Sequence, residues 1–313
     1  MSLYLISGGA GFIGSNIAGE LAAKGEDVRI LDNFLTGKKE NIKSFADKVE
    51  VMEGDIRDRR VTDKAVRGVD FILHQAALAS VQRSVENPFT TNEINVTGTL
   101  NLLLSAKEQQ VKRFVFASSS SVYGDSETLP KHENMIPNPL SGYALSKLAG
   151  EHYCKIFYEL YGLKTISLRY FNVFGPRQDP HSDYAAVIPL FITAIISGKQ
   201  MVIYGDGEQS RDFTYIKNVV DANLRACLVS EEAVGKVYNI ACGERYTLNE
   251  LLKVLSKIAS KGVNPRYDSP RMGDVKHSQA SIKEAEKLLA FTPSLGFEEG
   301  LKKTFEWYKK EKS

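Results

Sequence analysis

Tyr143 and Lys147 lie four residues apart in a stretch with helical spacing, and their types could together move a proton. Side chains four residues apart share one face of a helix. A tyrosine hydroxyl titrates at about 10 and is a poor base at neutral pH. A nearby ammonium favours the phenolate and lowers its pKa. The Tyr-x-x-x-Lys pattern therefore marks a candidate acid/base pair, although a solvated helix face can have the same spacing.

A glycine-rich turn, Gly8 to Gly14, joins a strand-like run to a helical stretch. Its glycines at 8, 11 and 14 form a variant of the G-x-G-x-x-G fingerprint, in which they permit a tight turn, the approach of a pyrophosphate and close helix packing. The following helix N-terminus offers N–H groups to the phosphates. The turn predicts a dinucleotide site, and the absence of any G-K-[ST] excludes a Walker-type loop.

Asp32 ends the second strand-like run, 18 residues after Gly14. An acidic side chain about there accepts hydrogen bonds from the adenosine ribose of NAD, and it would repel the 2′-phosphate of NADP. We therefore expect NAD as the cofactor. Two cations in the next loop, Lys38 and Lys39, make this preference less firm than the dinucleotide site itself.

A run of four serines, Ser118 to Ser121, follows the apolar segment Phe114 to Phe116. Ligands of open α/β sheets bind beyond the carboxyl ends of the strands. We therefore expect these hydroxyls near the nicotinamide end of the cofactor, and a plain Ser-rich turn is the alternative. A tyrosine paired with a lysine and a cationic nicotinamide ring could then take a proton from a substrate hydroxyl while hydride leaves the same carbon.

Strand-like and helical patterns alternate through the first half of the chain, where short apolar runs at 3–6, 28–31, 49–52 and 71–73 resemble buried parallel strands. The clearest helices are predicted at 12–23, 95–107 and 143–161. This alternation predicts an α/β fold with a Rossmann-type, doubly wound parallel sheet. After Gly175 the pattern is less regular and predicts a smaller α+β C-terminal domain.

The composition is that of an ordinary globular protein. Lys plus Arg is 40 and Asp plus Glu is 38, a net charge of +2 that argues against a dedicated nucleic-acid partner. No apolar run is long enough for a membrane span, the N-terminus lacks a signal-peptide pattern, and three separated cysteines favour a cytoplasmic location. The five histidines are scattered, so no metal site is expected.

Nearly the whole chain resembles the extended short-chain dehydrogenase/reductase family and, within it, the nucleotide-sugar 4-epimerases. The resemblance rests on these motifs taken together: GGAGFIG at 8–14, Asp32-Asn33, GDI at 54–56, HQAA at 74–77, NVTGT at 95–99, SSSVYG at 119–124, YALSK at 143–147, RYFNVFGP at 169–176 and RDF at 211–213.

The resemblance implies the roles of most site residues. For the cofactor it implies contacts from Gly8, Gly11, Phe12, Ile13, Gly14, Asp32, Asn33, Asp55, Ile56, Ala76, Asn95 and Lys147. For catalysis it implies Ser119, Tyr143 and Lys147, with Lys147 lowering the Tyr143 pKa. For the UDP-hexose substrate it implies Ser120, Asn172, Tyr204, Arg211, Arg271, Asp274 and Ser278.

The implied reaction inverts C4 of a UDP-hexose. Tyr143 removes the C4 hydroxyl proton, hydride passes to NAD⁺, the 4-ketosugar turns, and hydride returns to its other face. In related epimerases a small residue four positions after the Arg-x-Gly-Asp aspartate opens the pocket to N-acetylated sugars, and Ser278 occupies that position here. We therefore expect UDP-glucose/galactose as substrates and hypothesise UDP-GlcNAc/GalNAc as well.

Several alternatives share this scaffold. Dehydratases usually carry an Asp-Glu pair where this chain has Ser120-Ser121, and decarboxylases commonly carry a Glu in the same stretch. Both reactions are thereby disfavoured, whereas a 4-ketoreductase stays open. A non-catalytic NAD-sensing scaffold is a rival from another class, but such a protein need not keep Ser119, Tyr143 and Lys147.

We also predict the division of the chain and its assembly. The NAD-binding domain comprises 1–175 and about 212–242, with a strand near 237–241 returning to the sheet. The UDP-sugar-binding domain comprises about 176–211 and 243–313. The resemblance further implies a homodimer, in which the predicted helices at 95–107 and 143–161 pair with a second subunit as a four-helix bundle.

Overall fold

A parallel sheet lies at the centre of the computed structural model, which describes residues 1–181, 185–269 and 276–311. The strands in these ranges are β1 (Leu3–Ser7), β2 (Asp27–Asp32), β3 (Glu50–Glu53), β4 (Phe71–His74), β5 (Arg113–Ser119), β6 (Thr165–Tyr170), β7 (Val173–Phe174), β8 (Val202–Tyr204), β9 (Ser210–Arg211), β10 (Thr214–Tyr215), β11 (Lys236–Ile240), β12 (Tyr246–Thr247) and β13 (Arg266–Asp268).

Helices separate most of these strands, as the alternating sequence pattern predicts. They are α1 (Phe12–Ala23), α2 (Arg59–Val66), α3 (Val81–Glu86), α4 (Pro88–Asn92), α5 (Gly98–Glu108), α6 (Gly142–Tyr161), α7 (Val187–Ser197), α8 (Ile216–Leu228), α9 (Leu248–Ala259), α10 (Lys283–Leu289) and α11 (Phe297–Glu311).

The central sheet has the strand order β11-β6-β5-β4-β1-β2-β3, and every neighbouring pair is parallel. The chain builds outward from β1 through β2 to β3 and then crosses back to place β4 on the other side of β1. This reversal opens a crevice at the carboxyl ends of β1 and β4, which is where doubly wound sheets bind dinucleotides. The predicted Rossmann-type fold class is confirmed.

Alternate side chains of the sheet pack into two cores, as the period of two in a strand requires. In β1, Leu5 faces a core that helices α5 and α6 cover, whereas Ile6 faces a core that α1 and α8 cover. Both residues are fully buried. The second core continues without interruption into α7, α9 and α11, so the C-terminal helices share hydrophobic packing with one face of the sheet.

The remaining strands form pairs outside the central sheet: β7 with β10, β8 with β13, and β9 with β12. Phe297 at the start of α11 stacks on Tyr246 of β12, with ring centroids 4.1 Å apart, and on Phe213, at 5.4 Å. These aromatic contacts bring β12, α11 and the segment after β9 together. They thereby fix Arg211, a predicted substrate residue, at the edge of this small sheet.

Candidate functional site

The glycine turn lies between β1 and α1, at the crevice of the sheet. Gly8 has φ +70°, a left-handed conformation that favours glycine, and a Cβ there would lie 2.6 Å from the backbone nitrogen of Ala76. A Cβ on Gly14 would lie 2.2 Å from the carbonyl oxygen of Gly8. Neither position therefore leaves room for a Cβ atom, which explains why both residues are glycine.

The N-terminus of α1 opens toward this crevice. Gly11 is the N-cap residue, and no side chain caps the first turn of the helix. Free N–H groups and the positive end of the helix dipole make such a terminus a binding site for phosphate. Phe12, Ile13 and Gly14 of the first turn line the same cleft, so the local structure fits the pyrophosphate of a dinucleotide.

Asp32 ends β2 and is buried beside the glycine turn. Its carboxylate accepts hydrogen bonds from the backbone nitrogens of Ala10, at 2.9 Å, and Phe34, at 2.8 Å. Burial raises the pKa of Asp32, and these two bonds oppose the rise. Each carboxylate oxygen keeps a second acceptor position, so Asp32 can still accept from ribose hydroxyls.

Asn33 and Asp55 form the adjoining wall of the cleft. The Asn33 amide donates to Asp55 Oδ2 at 2.9 Å, and Arg57 binds the same carboxylate through its side chain and its backbone nitrogen. The Arg57 side-chain hydrogen bond is the main reason that the pKa of Asp55 is lowered to about 2. The carboxylate is therefore charged and fixed at neutral pH, which suits it to accept a hydrogen bond from an adenine amino group.

One cleft brings most of the predicted cofactor residues together. Its lining includes Gly8, Gly11, Phe12, Ile13, Gly14, Asp32, Asn33, Asp55, Ile56 and Ala76. It also includes residues that the sequence analysis did not single out, among them Thr36, Gly37, Gln75, Leu78 and Ala79. Thr36 and Gly37 lie four and five residues after Asp32, in the loop that follows β2, which is a signal that could have identified them.

Asn95 supports this cleft from behind. Its side-chain oxygen accepts from the backbone nitrogen of Leu78 at 2.8 Å, and its amide donates to the Leu78 carbonyl and to Ser146 Oγ. The residue lies in a π-helical turn, Glu93–Thr97, that precedes α5. Asn95 therefore fastens a cleft-lining loop to α6, the helix that carries Tyr143 and Lys147.

Tyr143 and Lys147 lie on one face of α6, next to the end of β5. The hydroxyl of Tyr143 is hydrogen bonded with the side chain of Ser119, the last residue of β5. Lys147 is buried, and its Nζ donates to the Ala117 carbonyl at 2.8 Å. Its Nζ also lies 5.9 Å from the centre of the Tyr143 ring. The structure thus brings Ser119, Tyr143 and Lys147 together.

The electrostatics of Tyr143 differ from the expected lowering of its pKa. Burial raises the pKa of Tyr143, and the hydrogen bond with Ser119 offsets only part of the rise. Burial also lowers the pKa of Lys147 to about 8, while the charge of Glu151 acts in the opposite direction. The protein groups alone therefore do not stabilise the phenolate, and lowering its pKa requires further positive charge such as a cationic nicotinamide.

The four serines at the carboxyl end of β5 are not equivalent in the structure. Ser118 is buried, and its hydroxyl donates to Glu151. Ser119 is partly exposed and contacts Tyr143, while its Oγ also accepts from the backbone nitrogen of Ser121. Ser120 is partly exposed at the start of a 3-10 helix. Ser119 and Ser120 are therefore better placed than Ser118 to contact a substrate.

A second cleft contains two of the predicted substrate residues, Asn172 and Arg211. Asn172 comes two residues after Tyr170, which pairs with Ser119 in the sheet, so it lies at the same sheet edge as Ser119. The Arg211 guanidinium donates to the carbonyls of Ser210 and Lys276. An amide and a fixed guanidinium near the carboxyl ends of the strands fit a phosphate-bearing ligand.

The other predicted substrate residues are more dispersed. Tyr204 ends β8 with 37 % of its surface exposed and is not among the side chains that line the cleft of Asn172 and Arg211. Ser278 joins β9 through its backbone nitrogen, which donates to the Ser210 carbonyl at 3.0 Å. Arg271 and Asp274 lie outside the described residues.

A salt bridge joins the loop after β2, which continues from the cofactor cleft, to the segment after β7. Lys38 Nζ lies 2.7 Å from the Asp179 carboxylate, and the Lys38 backbone nitrogen donates to the carbonyl of Ala10 in the glycine turn. Nearby, the Arg177 guanidinium donates to the Ser15 carbonyl of α1 at 2.8 Å. The segment after β7 is therefore anchored both to α1 and to the loop after β2.

We expect Lys38→Ala to release a bound dinucleotide up to about fivefold faster, because an exposed ion pair contributes about 1 kcal/mol or less. Lys39→Ala is the matched control, since Lys39 Nζ lies 3.8 Å from Glu53 and does not reach the segment after β7. The effect is measured as the rate of NAD dissociation, by diluting the NAD-loaded protein and quantifying the cofactor released over time. Equal rates for both variants would show that the Lys38–Asp179 contact does not retain the dinucleotide.

Comparison with known proteins assigns the family. Residues 4–241 match the model of the NAD dependent epimerase/dehydratase family. The chain belongs to this family. The match spans the central sheet from β1 to β11, together with the glycine turn and the Tyr143–Lys147 pair, and it confirms the resemblance inferred from the sequence motifs. The expectation of NAD as the cofactor is confirmed with it.

Several relatives are similar to this NAD-dependent epimerase/dehydratase family member over nearly their full length. The UDP-glucose 4-epimerase of Mycolicibacterium smegmatis is 36% identical over 309 residues, which are 97% of this chain and 98% of that protein. The structure of a UDP-N-acetylglucosamine 4-epimerase from Methanobrevibacter ruminantium in complex with UDP-N-acetylmuramic acid superposes with a TM-score of 0.94, at 40% identity and 99% coverage of both chains.

A third relative is UDP-glucose 4-epimerase from Thermotoga maritima with UDP-glucose, whose TM-score is 0.95 at 36% identity, covering 99% of this chain and 100% of that one. These named family members are isomerases. In the part of this chain that the structure describes, no helix is long and apolar enough to cross a membrane, and no three His, Cys, Asp or Glu side chains group as metal ligands.

Proposed function

We propose that this chain is a UDP-hexose 4-epimerase with Ser119, Tyr143 and Lys147 as its catalytic group. The observation that carries the proposal is the contact of Tyr143 with Ser119 above the buried Lys147, at the sheet edge that also bears Asn172. Bound NAD supplies the oxidation and reduction at C4, by accepting the C4 hydrogen as hydride and returning it.

Side chains of the protein transfer the proton, orient the sugar hydroxyl and bind the cofactor and the nucleotide. The Tyr143 oxygen takes the proton of the C4 hydroxyl and gives one back, and Ser119 orients that hydroxyl by hydrogen bonding. Lys147 binds the nicotinamide ribose and offers a positive charge near the phenolate. Asn172 and Arg211 hold the UDP phosphates, so that the nucleotide stays anchored while the sugar turns. Binding energy from a non-reacting part of the substrate is used in this way by other enzymes.

Cofactor binding is proposed for the residues of the first cleft and its support. The glycine turn would hold the pyrophosphate, Asp32 and Asn33 the adenosine ribose, and Asp55 with Ile56 the adenine. We also propose that the chain divides into an NAD-binding part (1–175 and about 212–242) and a UDP-sugar-binding part. The pairing of β11 with β6 supports assigning residues near 236–240 to the first part.

Serine residues after β5 favour epimerisation over the related reactions. Water elimination by dehydratases uses acidic side chains where this chain has Ser120 and Ser121. A serine hydroxyl cannot replace a carboxyl group as proton donor and acceptor at neutral pH. The 4-keto intermediate is therefore expected to be reduced again at C4 rather than to lose water.

Substrate range is the finer part of the proposal, and we propose that UDP-GlcNAc/GalNAc are accepted alongside UDP-glucose/galactose. Ser278 supports this, because its side chain is small and its backbone nitrogen donates to Ser210 of β9, the residue that precedes Arg211. We expect Ser278→Tyr to lower turnover of UDP-GlcNAc at least tenfold and to leave UDP-glucose turnover within about threefold. A difference of one methylene in the fit between a pocket and its substrate already discriminates between two substrates by about 10–200-fold.

The test is NMR of the products formed from UDP-glucose, UDP-galactose, UDP-GlcNAc and UDP-GalNAc. Conversion within both epimer pairs supports the full proposal. Conversion of UDP-glucose without any turnover of UDP-GlcNAc would overturn the wider range while leaving the epimerase assignment intact. Bound reduced cofactor, seen as absorbance at about 340 nm when a UDP-sugar is added, separates the enzyme from a cofactor-binding scaffold.

We further propose a homodimer in the cytoplasm, formed through the faces of α5 and α6. Apolar side chains of α6 support the interface, because Ile156 is 42 % exposed and Leu160, four residues later on the same face, is 71 % exposed. Large apolar side chains clustered on a surface favour association. Sizing chromatography at micromolar concentration tests this, and elution as a monomer would contradict it.

A further inference from the structure

Behind the catalytic group, α6 carries a buried carboxylate, Glu151, one helical turn beyond Lys147. We propose that Glu151, held by Arg169, is a positioning residue that fixes the catalytic group against the end of β5 and keeps Lys147 charged. The inference rests on the proposed function, in which Ser119, Tyr143 and Lys147 act together.

The geometry is a series of contacts between one helix and one strand. Residues 143, 147 and 151 are four apart and therefore share one face of α6. Each contacts a different residue at the carboxyl end of β5. The three contacts are Tyr143 with Ser119, Lys147 Nζ with the Ala117 carbonyl, and Glu151 with the Ser118 hydroxyl.

Arg169 of β6 fixes the Glu151 end of this series. Its Nε and Nη2 donate to the two carboxylate oxygens of Glu151 at 2.8 and 2.7 Å. Only 4 % of the Arg169 side chain and 5 % of the Glu151 side chain are exposed. A two-pronged guanidinium–carboxylate pair restricts orientation as well as distance. Glu151 is therefore a rigid, charged contact, and it holds β5, β6 and α6 in one arrangement.

The charge of Glu151 acts on Lys147. Burial lowers the pKa of Lys147 to about 8, and the negative charge of Glu151 raises it against that effect. The other ionisable groups around the ammonium are Tyr143 on α6, His74 at the end of β4 and, behind Glu151, Arg169. Burial lowers the pKa of His74 to about 3, so this imidazole is neutral and contributes no charge.

We expect Glu151→Gln to move the alkaline limb of the kcat profile to lower pH by about one unit, the smaller end of the shift that a neighbouring charge causes. At pH 8 this alone reduces the charged fraction of Lys147, and with it kcat, about fivefold, while KM stays within threefold. A role confined to stability would lower the yield of folded protein without moving the limb, so an unmoved limb overturns the proposal.

Glu151→Asp separates charge from position. It keeps the negative charge but draws the carboxylate back by one methylene, so kcat should fall while the alkaline limb stays in place. Wild-type kcat in this variant would contradict the positioning role. Glu159→Gln is the matched control on the same helix, because Glu159 is exposed and pairs with exposed Lys155, so its substitution should leave both quantities unchanged.

A measurement without turnover distinguishes failure of this inference from failure of the proposed function. Lys147 loses its proton at lower pH in the folded protein than in the unfolded chain. Between those pH values the unfolded chain binds more protons, so the contribution of Lys147 to stability rises with pH. In Glu151→Gln the rise should begin about one pH unit lower. Denaturant unfolding from pH 6 to 9 tests this, and parallel curves for both proteins would refute it.

Discussion

Tyr143→Phe is expected to lower kcat for C4 epimerisation by about 10²–10⁴-fold, the range that a positioned acid/base group contributes. The substitution removes one oxygen and keeps the ring. That oxygen is the group bonded with Ser119 and the only part of the side chain that can exchange a proton with the sugar hydroxyl. Cofactor content should stay at the wild-type level, because the dinucleotide cleft does not include Tyr143.

Tyr153→Phe is the control for this variant. Tyr153 lies on the same helix but packs beside the core that α5 and α6 cover, away from the end of β5. Its loss of a hydroxyl should leave kcat unchanged. If Tyr143→Phe retained more than about a tenth of wild-type kcat, another group would have to carry the proton, and the assignment of Tyr143 would be wrong.

Gly8→Ala is expected to have the second large effect, on stability and on cofactor binding together. The added methyl would meet the Ala76 backbone at 2.6 Å, and the φ of +70° is unfavourable for alanine. Left-handed strain and overpacking together should cost about 2–5 kcal/mol of the free energy of unfolding. Because Gly8 and Ala76 line the cofactor cleft, any relief of the clash also distorts the dinucleotide site.

Gly25→Ala provides a matched control for backbone strain. Gly25 has φ +77°, but a Cβ there meets nothing within 4 Å. It should therefore cost about 1–2 kcal/mol from strain alone and leave NAD content unchanged. Denaturant unfolding and the amount of cofactor that copurifies measure both effects. Equal losses in the two variants would mean that the close contact with Ala76 is not what requires glycine at position 8.

Local sequence patterns predict closely the limits of the helices that carry the site. The helix expected at 143–161 is observed at Gly142–Tyr161, with Ser141 capping it through the Ala144 nitrogen and Gly162 ending it at φ +70°. The helix expected at 12–23 has those limits. In both cases apolar periodicity and a terminating glycine act within a few residues, so one sequence is enough.

Contacts across the fold could not be predicted in this way. The π-helical turn Glu93–Thr97 occupies the start of the helix expected at 95–107, because Asn95 bonds to the distant Leu78 backbone. The pairing of Glu151 with Arg169 joins residues 18 apart on different elements. The raised pKa of Tyr143 likewise depends on how deeply tertiary packing buries the hydroxyl, which periodicity does not encode.

The most direct test of the central claim is epimerisation in D₂O, using the UDP-hexose that turns over fastest and following both epimers by NMR. The proposed chemistry moves the hydroxyl proton through Tyr143 but takes the C4 hydrogen from carbon and returns it to the same carbon. We therefore expect the C4 epimer to form with its original hydrogen at C4 and with no reduced cofactor released into solution. Deuterium at C4, or a product altered at any other carbon, would contradict the account.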